Sequence, residues 1–212
     1  MTTCSLCQSE ATAFHRDTTR DYFHCSTCHL VFVPQSFHLT PDEEKRRYDN
    51  HDNNPEDPRY RQFLSQMSEP LIPLLPTGAS GLDFGCGPGP ALARMLKEAD
   101  FEMTLFDPYY ANNPEVLEKI YDFVVCTETA EHFRNPEKEW KTLVELVKED
   151  GYLGIMTQQL TELKRFPTWH YIRDDTHVSF YSRETFDWLA NSYTLNIVYH
   201  TRTAVIFKKG TA

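Results

Sequence analysis

Several things are scarce in this chain, and each scarcity excludes something. No apolar run approaches the ~20 residues that a membrane-spanning helix needs. The opening residues, MTTCSLCQSE, are polar and hold no signal-peptide core, so a cytoplasmic location is expected. Basic residues are outnumbered, 21 Lys and Arg against 31 Asp and Glu, for a net charge of -10. A protein so negative repels a phosphate backbone, and nucleic acid is not an expected partner. Glycine is sparse, at 8 of 212 residues. Three of the eight nevertheless crowd together, as Gly85, Gly87 and Gly89. What remains, 40% hydrophobic and 25% charged, is globular composition. The length suits one domain with a small appendage.

Cysteine is the first informative presence. Cys4 and Cys7 form one C-x2-C pair, and Cys25 and Cys28 form another 17 residues later. Without a secretory signal, reduced thiols are expected rather than disulfides. Two residues between cysteines let both thiolates reach one ion from a tight turn, and two such turns close a tetrahedral shell. The expectation is a structural zinc site in a ribbon-like module over residues 1–33. Two disulfides or free thiols are the alternative. His24 and His29 flank the second pair and read as neighbours, not ligands. A module of this size needs the metal's binding free energy to fold.

Residues 34–78 hold seven of the 13 prolines and the polar, turn-rich YDNHDNNPEDPRY. This stretch reads either as a solvated linker or as a lid over a pocket using Tyr48, His51, Arg59 or Tyr60. Phe63, Leu64, Met67 and Leu71 then fall at helical spacing and predict a helix leading into residues 79–212.

From there strands and helices alternate. GLDFG, FEMTLF, YDFVVC and GYLGIMT read as strands. PALARMLKEA, NPEKEWKTLVELVKEDG (capped by Asn135) and SRETFDWLANS read as helices. YTLNIVYH and TAVIFKK read as a closing antiparallel pair. Such alternation predicts an α/β fold with a mostly parallel sheet and a ligand at the strands' carboxyl ends. The turn Gly85-Cys86-Gly87-Pro88-Gly89 has Pro90 where a dinucleotide fingerprint needs its third glycine, and no P-loop lysine follows. A phosphate is therefore not expected. Asp83 precedes the turn, which suits a smaller, cationic ligand. Asp107, ending the second strand, is either a turn residue before Pro108 or the acceptor for a ribose's hydroxyls.

LDFGCGPG, then LFDP, then YDFVVCTETAEHFRNPEKEWKTLVELVKEDGYLGIMT resemble, in motif order, the class I S-adenosylmethionine-dependent methyltransferases. The resemblance implies a Rossmann-like, seven-stranded sheet. It implies S-adenosylmethionine as cofactor, with Asp83, Gly85, Cys86, Gly87 and Gly89 along its methionine part and Asp107 on its ribose. No adenine contact carries over from the resemblance, though Pro108 and Tyr109 are placed to pack on the ring, and Thr127 and Glu128 sit beside the methyl donor. Only 13 residues separate Asp107 from Tyr121, too few for a helix, a third strand and an acidic adenine contact. The third strand is expected to be vestigial.

Catalytic candidates follow from position. Glu128, Glu131 and His132 are spaced to share one helical face and resemble the segment that holds a divalent ion in ubiquinone-pathway O-methyltransferases. The alternative is that Glu131-His132 only braces loop backbone, and a second metal is not the leading expectation. FPTWHYIRDDTHVSFYS should border the acceptor; in it His177 is a candidate general base and Tyr181 a further catalytic candidate, with core packing as the alternative for both. The expected activity is methyl transfer to an oxygen, nitrogen or carbon of a small molecule. Similar zinc-bearing modules precede methyltransferase domains acting on sugars and on ribosomal RNA, so an rRNA or tRNA substrate is the second reading, and a non-catalytic binding module the third.

Overall fold

A computed structural model describes residues 1–50 and 53–211. Four short strands come first: β1 (Thr2–Thr3), β2 (Glu10–Arg16), β3 (Asp21–Cys25) and β4 (Val31–Phe32). Helices α1 (Pro41–Tyr48) and α2 (Pro58–Leu71) follow. Then β5 (Ser80–Phe84), α3 (Ala91–Glu98), β6 (Glu102–Phe106), β7 (Tyr121–Thr127), α4 (Pro136–Leu146) and β8 (Val147–Met156) alternate. The last elements are β9 (Ser179–Phe180), α5 (Arg183–Ser192), β10 (Leu195–His200) and β11 (Ala204–Lys209). No helix among the described residues is long and apolar enough to cross a membrane.

The described residues form two sheets. The larger has six strands in the order β10-β11-β8-β7-β5-β6. Strands β6, β5, β7 and β8 run parallel, while β11 and β10 are antiparallel additions at one edge. The fold is the α/β architecture expected, but the seven-stranded, mostly parallel sheet is corrected to a six-stranded mixed one. The cause is the short Asp107–Tyr121 interval. Its described backbone makes a one-pair bridge between Asp107 and Ala111 and a 3-10 turn at Pro114–Glu118, and no third strand. A crossover unit needs more chain than that. Strand β7 lies inside the sheet with Phe123, Val124, Val125 and Cys126 fully buried, as a continuous apolar run implies.

The second sheet corrects a further expectation. Its order is β1-β2-β3-β4-β9, antiparallel throughout. Residues 1–33 thus do not close on themselves. Val31 and Phe32 pair with Phe180 and Ser179, from the segment expected to border the acceptor. Cys4, Leu6, Leu30 and Phe32 also share one buried cluster with Trp140, Tyr181 and Phe186.

Local chemistry explains most boundaries. Thr40 and Glu43 exchange side-chain-to-backbone hydrogen bonds in a capping box, with Pro41 in the first turn, and so start α1. Ser182 and Thr185 do the same for α5. Asn135 occupies the N-cap position of α4, but its side chain makes no capping bond. The helix ends at Leu146, and Val147–Asp150, expected as its last turn, already belong to β8.

Candidate active site

The glycine turn sits at the carboxyl end of β5, where the two flanking strands leave a crevice. Main-chain N–H groups of Gly85 and Cys86 both donate to the Phe106 carbonyl, at 2.8 and 3.2 Å, which ties the turn to β6. Gly85 has φ +78°, and a Cβ there would lie 2.2 Å from Thr129 Cγ2. Thr129 is itself fixed, since its hydroxyl donates to the Gly85 carbonyl at 3.1 Å. Gly85→Ala should therefore lower stability by about 3 kcal/mol, combining left-handed strain with a clash that cannot relax. Thermal unfolding monitored by circular dichroism checks this; an unchanged midpoint would contradict it.

Around the turn lies a cavity of about 850 Å³. Asp83, Gly85, Cys86, Gly87, Gly89, Asp107, Pro108, Thr127 and Glu128, the residues expected at the cofactor, all line it. Asp107 is 93% buried in a residue-area sense, being only 7% exposed. Its Oδ2 accepts from the Gly87 N–H at 2.9 Å, and its Oδ1 accepts from the N–H groups of Tyr109 and Tyr110. One carboxylate thus fixes both the glycine turn and the loop after β6. From the other side, the connector reaches in. A Cβ on Gly89 would fall 2.0 Å from the Asn53 carbonyl oxygen.

The cavity is rich in acids and poor in cations. Asp83 is buried, and its Oδ1 has no hydrogen-bond partner among the described residues. Burial, with Asp107 nearby, pushes its carboxyl up to about 7. Glu128 stands at the end of β7 with φ +49°, its N–H donating to the Met156 carbonyl at 2.7 Å. Burial and the neighbouring Glu131 push its carboxyl up to about 9, so it is largely protonated at neutral pH. An uncompensated group of buried acids beside a side-chain-free turn fits S-adenosylmethionine, whose sulfonium and ammonium carry the missing positive charge.

A second group of side chains meets farther along the cavity. Glu131, His132 and His177 present ligand-type atoms all within 4.8 Å of one another. This corrects the expected trio of Glu128, Glu131 and His132: among the described residues Glu128 is not in this cluster, and His177 replaces it. The segment after β7 makes only a three-residue 3-10 turn, Ala130–His132, so helical spacing does not hold across Glu128. His177 Nδ1 lies 2.8 Å from the Tyr171 carbonyl and His132 Nδ1 lies 3.2 Å from the Thr176 carbonyl. A carbonyl only accepts, so each Nδ1 carries the proton and each lone pair is on Nε2 in the neutral ring. Burial holds the His177 imidazole below its ordinary pKa. Glu131 is 1% exposed; its Oε1 accepts from the Tyr171 hydroxyl, and its Oε2 has no partner among the described residues.

Tyr181 does not belong here. It is fully buried, donates its hydroxyl to the Ala130 carbonyl and accepts from Trp140 Nε1, with its ring stacked on Phe186. Its expected catalytic role is corrected to core packing. In the lid reading, Tyr48 and Tyr60 do line the cavity, but Arg59 points to solvent and His51 lies outside the described residues. Sequence reasoning missed Glu44, which accepts from the hydroxyls of Tyr48 and Tyr109 at 3.0 and 2.7 Å. The signal was present: TPDEE is a capping-box helix start that puts Glu44 and Tyr48 one turn apart.

The four N-terminal cysteines form a separate cluster. Both C-x2-C turns have the same backbone. The N–H groups of Gln8 and His29 return to the Cys4 and Cys25 carbonyls, and both residues have φ +59°. The Sγ atoms of Cys4 and Cys28, and of Cys7 and Cys25, are 3.5 Å apart. That is far beyond a disulfide and close to an edge of a thiolate tetrahedron around one ion. The set could hold one metal ion.

Fold and cavity together define a class I nucleoside-cofactor site of the methyltransferase kind. Residues 51–200 match the profile of the Methyltransferase domain family, and the chain belongs to that family. It is an S-adenosylmethionine-dependent methyltransferase. Solved structures agree on the fold. The 1,6-didemethyltoxoflavin-N1-methyltransferase of Burkholderia thailandensis, bound to its substrate and S-adenosylhomocysteine, is 14% identical. It superposes at a TM-score of 0.58, over 96% of this chain and 100% of that one. A SAM-dependent methyltransferase from Archaeoglobus fulgidus is 19% identical at a TM-score of 0.53, covering 70% of this chain and 94% of its own. The N-methyltransferase NodS of Bradyrhizobium japonicum WM9, in complex with S-adenosylhomocysteine, is 13% identical at 0.51, covering 80% and 98%. Comparison with curated protein sequences gives no significant match.

Proposed function

We propose that the protein methylates a small molecule whose nucleophilic atom gives up a proton as it reacts. The observation that carries this reading is the buried His177 imidazole, its Nδ1 held by the Tyr171 carbonyl and its ring in contact with that of the half-buried His132 at the cavity wall. When bound, S-adenosylmethionine supplies an electrophilic methyl group on a sulfonium. Gly85, Gly87 and Gly89 let backbone approach its methionine part, Asp83 answers its positive charge, and Asp107 holds the ribose. Thr127 and Glu128 wall the methyl. His177 Nε2 would take the proton that the acceptor's nucleophilic atom releases on methylation. Glu131 supports the resulting charge on the imidazole. Alignment and base catalysis are what such a displacement needs from a protein. The four cysteines hold zinc in this reading, as a closed structural site.

The 1,6-didemethyltoxoflavin-N1-methyltransferase, whose name carries a small-molecule acceptor, supports this class of substrate. An RNA substrate is disfavoured by the net charge of -10 and by the acidic cavity. The test is transfer of radiolabelled methyl from S-adenosylmethionine into small phenols, amines and keto sugars, with ribosomal RNA as the counter-probe. Any acceptor found should be methylated about 100-fold more slowly by His177→Asn, with S-adenosylhomocysteine affinity unchanged. Incorporation into RNA alone would refute the reading.

A further inference from the structure

The N-terminal sheet ends in a hairpin whose tip does something unusual with a cation. Arg20, between β2 and β3, is only 6% exposed. Its guanidinium donates to four main-chain carbonyls more than 150 residues away in sequence. Nη1 reaches the Asp175 and His177 carbonyls at 3.1 and 2.9 Å, and Nη2 reaches those of Ile172 and Asp174 at 2.6 and 3.0 Å. Among the described residues no carboxylate lies within ion-pair distance of it, and its one aromatic neighbour is the Tyr22 ring, 5.4 Å away. The hairpin is braced to hold it there. Asp17 accepts from the N–H groups of Thr19 and Arg20 and from the Tyr22 hydroxyl.

The four carbonyls belong to the turn that carries Asp174 and His177 into the cavity. Within that turn His177 is set by short-range bonds: its ring Nδ1 to the Tyr171 carbonyl and its N–H to the Asp174 carbonyl. The Asp174 carbonyl is shared between the His177 N–H and Arg20, and the Ile172, Asp175 and His177 carbonyls also meet the guanidinium. A planar fork with five donors meets that geometry; a lysine ammonium, with three donors on one atom, does not. The same turn is fastened again where Val33 N–H donates to the Val178 carbonyl and β4 pairs with β9, and on its outer side by the Arg47–Asp175 ion pair.

We infer that Arg20 is the positioning residue for His177, so that the cysteine-bearing sheet is a working wall of the acceptor site rather than an appended docking module. The inference rests on His177 facing the acceptor, as proposed above. Its structural half stands by itself: without the Arg20 guanidinium, the 172–177 turn loses four hydrogen bonds that hold the backbone from which the His177 ring projects.

The test uses the full-length, metal-loaded protein, with S-adenosylhomocysteine as probe and nitrogen-15 NMR of the histidine rings. Arg20→Ala should keep zinc content and S-adenosylhomocysteine affinity within about twofold, because the glycine turn is untouched. The His177 ring should leave its single Nδ1–H tautomer, and the His177 amide should exchange at least about tenfold faster, the worth of roughly one hydrogen bond. Methylguanidinium added to the alanine variant should restore both signals, and Arg20→Lys should restore them only in part. An unchanged His177 tautomer in the variant overturns the inference. So does exchange that accelerates equally in β5 and β7, which would mean a merely structural arginine. If Arg20→Ala does not fold, Arg20→Lys is judged by the same signals. Failure of the wild type to bind S-adenosylhomocysteine would count against the proposed function and leave the role of Arg20 to be decided by the ring and exchange signals.

Discussion

Asp107→Ala is expected to weaken S-adenosylhomocysteine binding by two to four orders of magnitude in titration calorimetry. The carboxylate has two separate jobs. In the free protein it accepts from three N–H groups, those of Gly87, Tyr109 and Tyr110, and so sets the shape of the turn and of the loop after β6. In the proposed reading its Oδ2, which accepts only from Gly87 in the free protein, keeps a lone pair for one ribose hydroxyl. Hydrogen bonds to a charged group contribute about 1.5–3 kcal/mol each, and losing the ribose bond together with the Gly87 bond that shapes the turn gives the range stated. The fold should survive, because the three orphaned N–H groups border a cavity of about 850 Å³ that water enters. Asp107→Asn separates the jobs: the amide keeps the volume, but its NH2 must face one of the donors that the carboxylate satisfied. It should bind with intermediate affinity. Binding by the alanine variant within threefold of wild type would remove the ribose assignment.

The second large effect is expected from the thiolates. Cys25→Ser, or stripping the metal with a strong chelator, should lower the thermal midpoint by 10 °C or more. Zinc in small modules contributes about 10–16 kcal/mol of apparent binding free energy at neutral pH, and part of that stabilises the folded state here. About 1 kcal/mol corresponds to 2–4 °C for a chain of this size. The loss should spread, because Cys4, Cys25 and Cys28 are fully buried in the cluster that also holds Trp140 and Phe186. Metal analysis should find one zinc per chain in the wild type and less in the variant. Cobalt substitution should give the intense sulfur-to-metal absorption of a four-thiolate site. Wild-type protein that contains no metal, or whose midpoint a strong chelator leaves unchanged, would refute the assignment.

Much of the cofactor half was readable from the sequence because its signals are local. Gly85 to Gly89 and Asp107 stand a strand and a helix apart, and nine expected residues do line one cavity. The two C-x2-C turns were equally local. What escaped was whatever depends on distant partners. Tyr181 reads as a catalytic candidate or as a packing residue near a helix start, and the distant Trp140 together with Phe186 decides for packing. Glu128 shares a helical spacing with Glu131 and His132, but φ +49° breaks that helix before it starts. The trio that does assemble needs His177, 45 residues further on, and no periodicity links it to Glu131. Strand β9 is two residues long and becomes a strand only because β4 offers an edge. The missing third strand was foreshadowed by the 13-residue interval. The pairing of β11 between β8 and β10 then makes the sheet mixed rather than mostly parallel.

The closing of the first sheet by β9 also bears on how the chain is made. On the ribosome, β4 emerges long before β9 exists to cover it, and Arg20 emerges long before its four carbonyls. At about 5–20 residues per second, the delay is on the order of ten to thirty seconds. Throughout it the nascent chain carries a bare strand edge and an unsatisfied guanidinium, both prone to mispairing. The two cysteine turns need only residues 4–30. In the zinc reading, early metal capture fastens this half-built sheet while translation continues, and metal starvation should do its damage during synthesis rather than after release.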